Sequence, residues 1–268
     1  PHAGYIYSGQ IAADGYNQTR GHRYDTVVIL GTNHTTPGFH RVGIYPGDGF
    51  ATPLGVARVD NRIVEDLLAA SPDCVRNASV HQQEHSVEVQ VPFIQVLFPE
   101  AKIVPVIVGS QEADLCQRFG QALGGVLKGK QALIVASSDL SHYPAYAEAR
   151  SVDVAILEAI PTLDAARVRQ AVREAMGRGI PNLHTAACGE GPILAAMSAA
   201  RVMGAKGGKV ISYANSGDVA IGDLSRVVGY GAVALTADAP AATAPPPPSE
   251  PAGELSPADK MALLGLAR

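Results

Sequence analysis

Short apolar runs rich in β-branched residues recur along the chain, and stretches with apolar residues at helical spacing separate most of them. Tyr24–Leu30 is such a run, closed by Gly31, and predicts a buried strand. Ala101–Val108, Gln131–Ala136, Lys209–Tyr213 and Val227–Leu235 predict further strands. Asp60 is placed as the N-cap of a helix that carries Ile63, Val64, Leu67 and Leu68 on one face. Glu84–Leu97 predicts a helix bent or interrupted at Pro92, which lacks a backbone donor. Glu112–Leu127 predicts an amphipathic helix ending near Gly129. Ser151–Ile160, Leu163–Met176 and the Ala-rich Gly191–Met203 complete the helices. Strands alternating with helices point to an α/β fold, a mostly parallel central sheet with helices on both faces.

The pattern stops after Thr236. Ala237–Gly253 is rich in Ala and Pro and includes Pro245–Pro248, a composition that favours extended geometry and builds no core. Ser256-Pro257-Ala258-Asp259 then supplies a helix start, with Met261, Leu264 and Ala267 on one face. The expected organisation is a domain over 1–236, a linker over 237–254 and the start of a second domain over 255–268. The chain opens on Pro1 and closes on Arg268 inside a helical pattern, so it reads as part of a longer protein.

Composition narrows the function classes. With 268 residues, 47% of them hydrophobic, the chain can bury a sizeable core. A net charge of −4 gives no basic footprint for nucleic acid. No apolar run reaches the length of a membrane span. Cys74, Cys116 and Cys188 are far apart and form no CxxC pair, which fits a reducing, cytoplasmic setting.

Residues with metal-ligating and proton-carrying side chains follow the strands. His34 comes just after Thr26–Leu30, and Asp139 and His142 just after Ala132–Ala136. In an open α/β sheet the carboxyl ends of the strands line the ligand crevice, so these residues are expected to meet. His2 opens the chain in Pro1-His2-Ala3-Gly4-Tyr5, and Cys188 precedes the helix Gly191–Met203. Cys188 has two readings: an inert buried thiol, or a thiolate favoured by the helix N-terminus, which lowers its pKa. Asp139 either caps a turn or orients His142 for proton transfer. Glu84, His85 and Glu88 either form a solvated acidic first turn or orient a ligating histidine. His22, His40, His81 and His184 are expected at ordinary surface or core positions, and Cys74 and Cys116 are expected to be structural. Asn215-Ser216-Gly217-Asp218 is turn-forming.

Five motifs occur in order: Pro1-His2-Ala3-Gly4-Tyr5, Gly31-Thr32-Asn33-His34, Glu84-His85-Ser86-Val87-Glu88, Ser137-Ser138-Asp139 with His142, and Cys188-Gly189 with Pro192-Ile193. Together they resemble the Memo family, also called AmmeMemoRadiSam system protein B, over Pro1 to about Thr236. Leu255–Arg268 is similar to the opening helix of an AMMECR1 domain. The family is similar in fold to class III extradiol dioxygenases, which hold Fe(II) with two histidines and a carboxylate. The resemblance implies metal ligands at His2, His34 and Cys188, with His142 as the acid/base group and Asp139 beside it. Glu84, His85 and Glu88 would support the ligands. It also implies a strand immediately before the Pro1 motif, which this sequence lacks.

Two imidazoles and a thiolate suit iron, copper or zinc, and Fe(II) is the expected occupant. The expected activity is metal-dependent redox chemistry on a small molecule, alongside a radical SAM protein and an AMMECR1 domain. The alternatives are an extradiol-type ring-cleaving dioxygenase and a non-enzymatic binding or adaptor module.

Overall fold

The structure, a computed structural model, describes residues 1–237. Its strands are β1 (Thr26–Thr32), β2 (Val42–Ile44), β3 (Gly49–Thr52), β4 (Gly55–Arg58), β5 (Cys74–Arg76), β6 (Lys102–Val108), β7 (Ala132–Ala136), β8 (Gly207–Asn215) and β9 (Gly229–Thr236). Its α-helices are α1 (Tyr5–Asn17), α2 (Asn61–Ala70), α3 (His85–Glu88), α4 (Val91–Leu97), α5 (Ala113–Leu127), α6 (Tyr146–Ala159), α7 (Ala165–Gly177) and α8 (Glu190–Met203). Apart from Ala237, the expected linker and second domain lie outside the described residues.

The central sheet has the order β5-β2-β6-β1-β7. β1 runs parallel to β6 and β7, and β2 runs parallel to β5 but antiparallel to β6. Val27 to Leu30 of β1 are wholly buried, as are Ile103, Val104, Val106 and Ile107 of β6. Strands apolar on both faces are those of a sheet covered on both sides. The protein is therefore an α/β fold with a mixed, mostly parallel sheet flanked by helices, as the apolar pattern predicts.

Pairing register decides where the candidate residues go. Leu30 stands opposite Ala136, and Thr32 opposite Val108. Ser137 then donates its backbone N–H to the Leu30 carbonyl at 2.9 Å. The segments that follow β1 and β7 consequently leave the sheet side by side, at the carboxyl edge.

Several elements depart from the sequence reading. β8 and β9 do not join the central sheet; they form a separate antiparallel pair. No α-helix lies between them, so there is no crossover to align them in parallel. The stretch read as one helix over Glu84–Leu97 is two, α3 and α4. The break falls at Val89–Gln90, and Pro92 sits in the first turn of α4, where its missing N–H costs nothing. α1 was not anticipated, because it contains Gly9 and Gly15 and starts at Gly4 without a side-chain cap. Asp60 does cap α2, accepting the Ile63 N–H at 3.3 Å, and it also binds the Thr26 hydroxyl at 2.5 Å.

The β7 edge away from β1 borders an apolar cavity of about 480 Å³, lined by β7, β9, α1 and α8 with Pro1 at its wall. α3 lies directly on β1. A methyl group on Gly31 would come within 2.5 Å of Ser86 Oγ and 2.8 Å of Val87 Cγ2. Gly31→Ala is therefore expected to cost about 1–3 kcal/mol, the usual penalty of overpacking. Thermal unfolding checks this, and an unchanged Tm would refute the close contact of α3 with β1.

Candidate metal centre

His2 is only 2% exposed. Its backbone N–H donates to Asp139 Oδ1 at 2.7 Å, and its ring Nδ1 lies 2.9 Å from Ser137 Oγ. Ser137 is held in turn by Gln90 Nε2 at 3.0 Å, which also donates to the Pro1 carbonyl at 2.8 Å. With Nδ1 engaged, Nε2 is the nitrogen left for a ligand. Burial first, then the neighbouring Pro1 amine, His34 and His85, pull the His2 pKa well below its ordinary value. The ring is therefore neutral, the form a metal requires.

His34 leaves β1 into a clamp made by Glu84, the N-cap of α3. Its backbone N–H donates to Glu84 Oε2 at 2.7 Å, and its ring Nδ1 lies 2.9 Å from Glu84 Oε1. The Ser86 N–H adds a third bond to Oε1 at 2.9 Å. Burial pushes the Glu84 carboxyl up, but the bonds from His34 and Ser86 outweigh it and hold the group at about 2. A carboxylate on Nδ1 leaves Nε2 free and raises its basicity, the usual support of a ligating histidine.

His85 stacks on His34, with ring centroids 4.9 Å apart. His2 meets both rings edge-on at 5.2 and 5.3 Å. Each of the three imidazoles offers a ligand atom, and these atoms all lie within 4.8 Å of one another. The sequence reading put His85 behind the ligands; here its ring stands beside theirs.

Cys188 joins the cluster through His2, with Sγ 3.2 Å from Nε2. It also accepts the Asp139 N–H at 3.3 Å. It precedes Gly189, the N-cap of α8, and so stands outside the first turn. Burial pushes the thiol up to about 12, with Asp139 adding to the rise. A cation bound beside it would be needed to hold it as thiolate.

Asp139 is buried and turned toward the His2 backbone, so it does not bond the His142 ring. His142 Nε2 is buried and has no hydrogen-bond partner among the described residues. Burial lowers the His142 pKa, Asp139 raises it, and His34 and His184 lower it further. Glu88 is exposed, and its charge acts on Tyr5. His81 is buried in the core with Nε2 3.1 Å from the Gly43 carbonyl, and Cys74 and Cys116 are buried too, as structural residues are. The site residues missed in the sequence are Ser137 and Gln90, polar side chains of no distinctive spacing. Ser137 adjoins the Asp139 motif, which is the one signal that marks it.

Whether these residues fit a metal follows from their free atoms. His2 and His34 each have Nδ1 held by a neighbour, His2 Nε2 lies beside the Cys188 thiol, and one ligand atom from each of His2, His34 and His85 lies within 4.8 Å of the others. The arrangement suits a borderline transition metal.

A family model described as Memo-like protein matches residues 1–234. The chain belongs to the Memo family. A MEMO1 family protein of Aquifex aeolicus is 40% identical over 234 residues, covering 86% of this chain and 82% of that protein. One from Aeropyrum pernix is 39% identical over 237 residues, covering 87% and 80%. The solved structure of an uncharacterised protein from Escherichia coli K12 has a TM-score of 0.50 at 15% identity, covering 78% of this chain and 87% of that one. That likeness concerns the fold alone. Among the described residues of this Memo-family chain, no helix is long and apolar enough to cross a membrane.

The Glu84 clamp has a pH signature. A carboxyl depressed to about 2 when folded contributes stability at neutral pH and loses it as pH falls from the ordinary carboxylate range toward that value. Glu84→Gln is expected to flatten this acid limb in denaturant titrations made across pH. Identical acid limbs in the two proteins would show that the clamp adds no stability.

Proposed function

We propose that this Memo-family chain is a metal-dependent oxidoreductase acting on a small molecule at a mononuclear non-haem centre. The observation that carries the reading is the convergence of three imidazoles, their ligand atoms within 4.8 Å, with a thiol 3.2 Å from His2 Nε2. The donor set suits iron, copper or zinc, and Fe(II) is chosen on the motif resemblance; the exposed His34 and His85 rings leave one side open to a substrate. Bound Fe(II) would supply redox and Lewis-acid chemistry. His2 and His34 would hold it, with Cys188 or His85 as the third ligand. Ser137 and Glu84 orient the two rings. His142 is the proton-handling group in this reading, supported by its unpartnered Nε2 and by burial that keeps the ring neutral. Asp139 would position His2 through its backbone and keep a negative charge beside His142.

An AMMECR1 domain and a radical SAM protein are proposed as partners on the motif resemblance alone, and the cytoplasm as the setting on the three separated cysteines. Extradiol cleavage of catechols is a narrower form of the same reading, and Cys188 in place of a carboxylate argues against it.

Metal content of the anaerobically isolated chain, beside His34→Ala, Cys188→Ala and His85→Ala, tests the proposal. Stoichiometric iron is expected in the wild type, with loss in His34→Ala. Loss in Cys188→Ala with retention in His85→Ala would make the third ligand sulfur, and the converse would make it nitrogen. No metal in the wild type, or full metal in all three variants, would overturn the proposal in favour of a binding module.

A further inference from the structure

The segment that carries His142 is held from several sides. The Leu140 N–H donates to the Gly229 carbonyl at 2.8 Å, and the Gly229 N–H donates to the Ser141 carbonyl at 2.8 Å. The His142 N–H donates to the Thr185 carbonyl at 2.9 Å, and the Tyr143 N–H donates to the Val227 carbonyl at 2.6 Å. Tyr143 takes a φ of 75°, a left-handed conformation that a non-glycine residue keeps only where its surroundings enforce it.

Behind this segment lies a carboxyl group with no part in the metal centre. Asp153 of α6 is wholly buried. It accepts the Ser141 N–H at 2.8 Å, the Ser141 hydroxyl at 3.1 Å and the Tyr213 hydroxyl at 2.9 Å. A Cβ on Gly229 would lie 1.9 Å from Asp153 Oδ2, so the carboxylate occupies the space that any other residue of β9 would need there. One side chain thus ties α6, β8, β9 and the segment after β7 at the residue preceding His142.

We propose that Asp153 is a positioning residue, which acts through Ser141 to hold the segment that carries His142. The inference rests on the reading of His142 as the proton-handling group.

The protonation state of Asp153 changes what it can do. As a carboxylate it accepts all three bonds. Protonated, it can donate to Ser141 Oγ, and the Ser141 hydroxyl must then turn away. Burial pushes this carboxyl up to about 7, while the bonds from Ser141 and Tyr213 pull it back down. The two states therefore exchange near neutral pH. The titratable group that faces it is Tyr213 of β8, on which Asp218 acts and whose ring carries Arg150 of α6 at 5.6 Å; Tyr230 of β9 and Asp139 and His142 of the segment after β7 are the other titratable groups on the elements packed against it. Among the described residues only Tyr213 of these bonds the carboxyl.

The test is an NMR titration of the full chain labelled with ¹³C-histidine, with the His142 resonance assigned by its loss in His142→Gln. In the wild type the His142 resonance is expected to show its own lowered step and a second inflection at about 7 from Asp153. The second inflection should be absent in Asp153→Asn. It should move to higher pH in Tyr213→Phe, because the carboxylate then loses a donor. If Asp153→Asn does not fold, the Tyr213→Phe comparison decides alone. Superimposable His142 curves in wild type and Tyr213→Phe, or a neutral-pH inflection that persists in folded Asp153→Asn, would overturn the proposal. Asp153 bonds none of the candidate metal ligands, so failure of the metal-centre reading is recognised separately, by the metal content of the same samples.

Discussion

The backbone bond from Ser137 to Leu30 carries the parallel pairing of β1 and β7 past the end of the sheet. Most of the candidate centre depends on it. It puts Ser137 where its hydroxyl meets His2, and Asp139 where its carboxylate receives the His2 N–H. Across the same edge, β1 releases His34 toward α3. Parallel strands present all their carboxyl ends on one side, so groups far apart in sequence converge without a dedicated loop.

Convergence alone would not orient the rings. An imidazole has two nitrogens, and a ligand site needs to know which one is free. Glu84, a carboxylate that can only accept, settles this for His34 by engaging Nδ1, while Ser137 engages Nδ1 of His2 and leaves its Nε2 beside the Cys188 thiol. The two anchors differ in kind. Glu84 is a buried charge, stabilised by bonds from His34 and Ser86. Ser137 is neutral and is itself fixed by Gln90. A buried carboxylate left without such partners would be strongly destabilising, so the α3 N-cap and the His34 support are one feature.

The far wall obeys a different constraint. β8 and β9 stand apart from the central sheet, yet β9 and the strand-like contact at Val227–Val228 grip the segment after β7. Asp153 and Gly229 fill a single space between them. Close packing of this kind transmits a small change at Asp153 to its neighbours, because a filled interior has little slack.

Much of this was legible in the amino-acid order. Runs such as Val27-Val28-Ile29-Leu30 marked β1, β6 and β7; compact branched apolar runs between turn signals suit strands, β1 and β6 buried on both faces and β7 half-buried at the sheet edge. Asp60 marked the start of α2, and the residue types at His2, His34, Asp139, His142 and Cys188 marked a ligand-bearing edge. Local signals ended there. The separation of β8 and β9, the break between α3 and α4, and the place of His85 beside His34 all rest on contacts between distant segments. So do the raised thiol of Cys188 and the turn of Asp139 toward His2: burial and distance set them, and neither has a periodicity in sequence. Residue order determined which groups could do chemistry, and only the tertiary structure decided which of their atoms face one another.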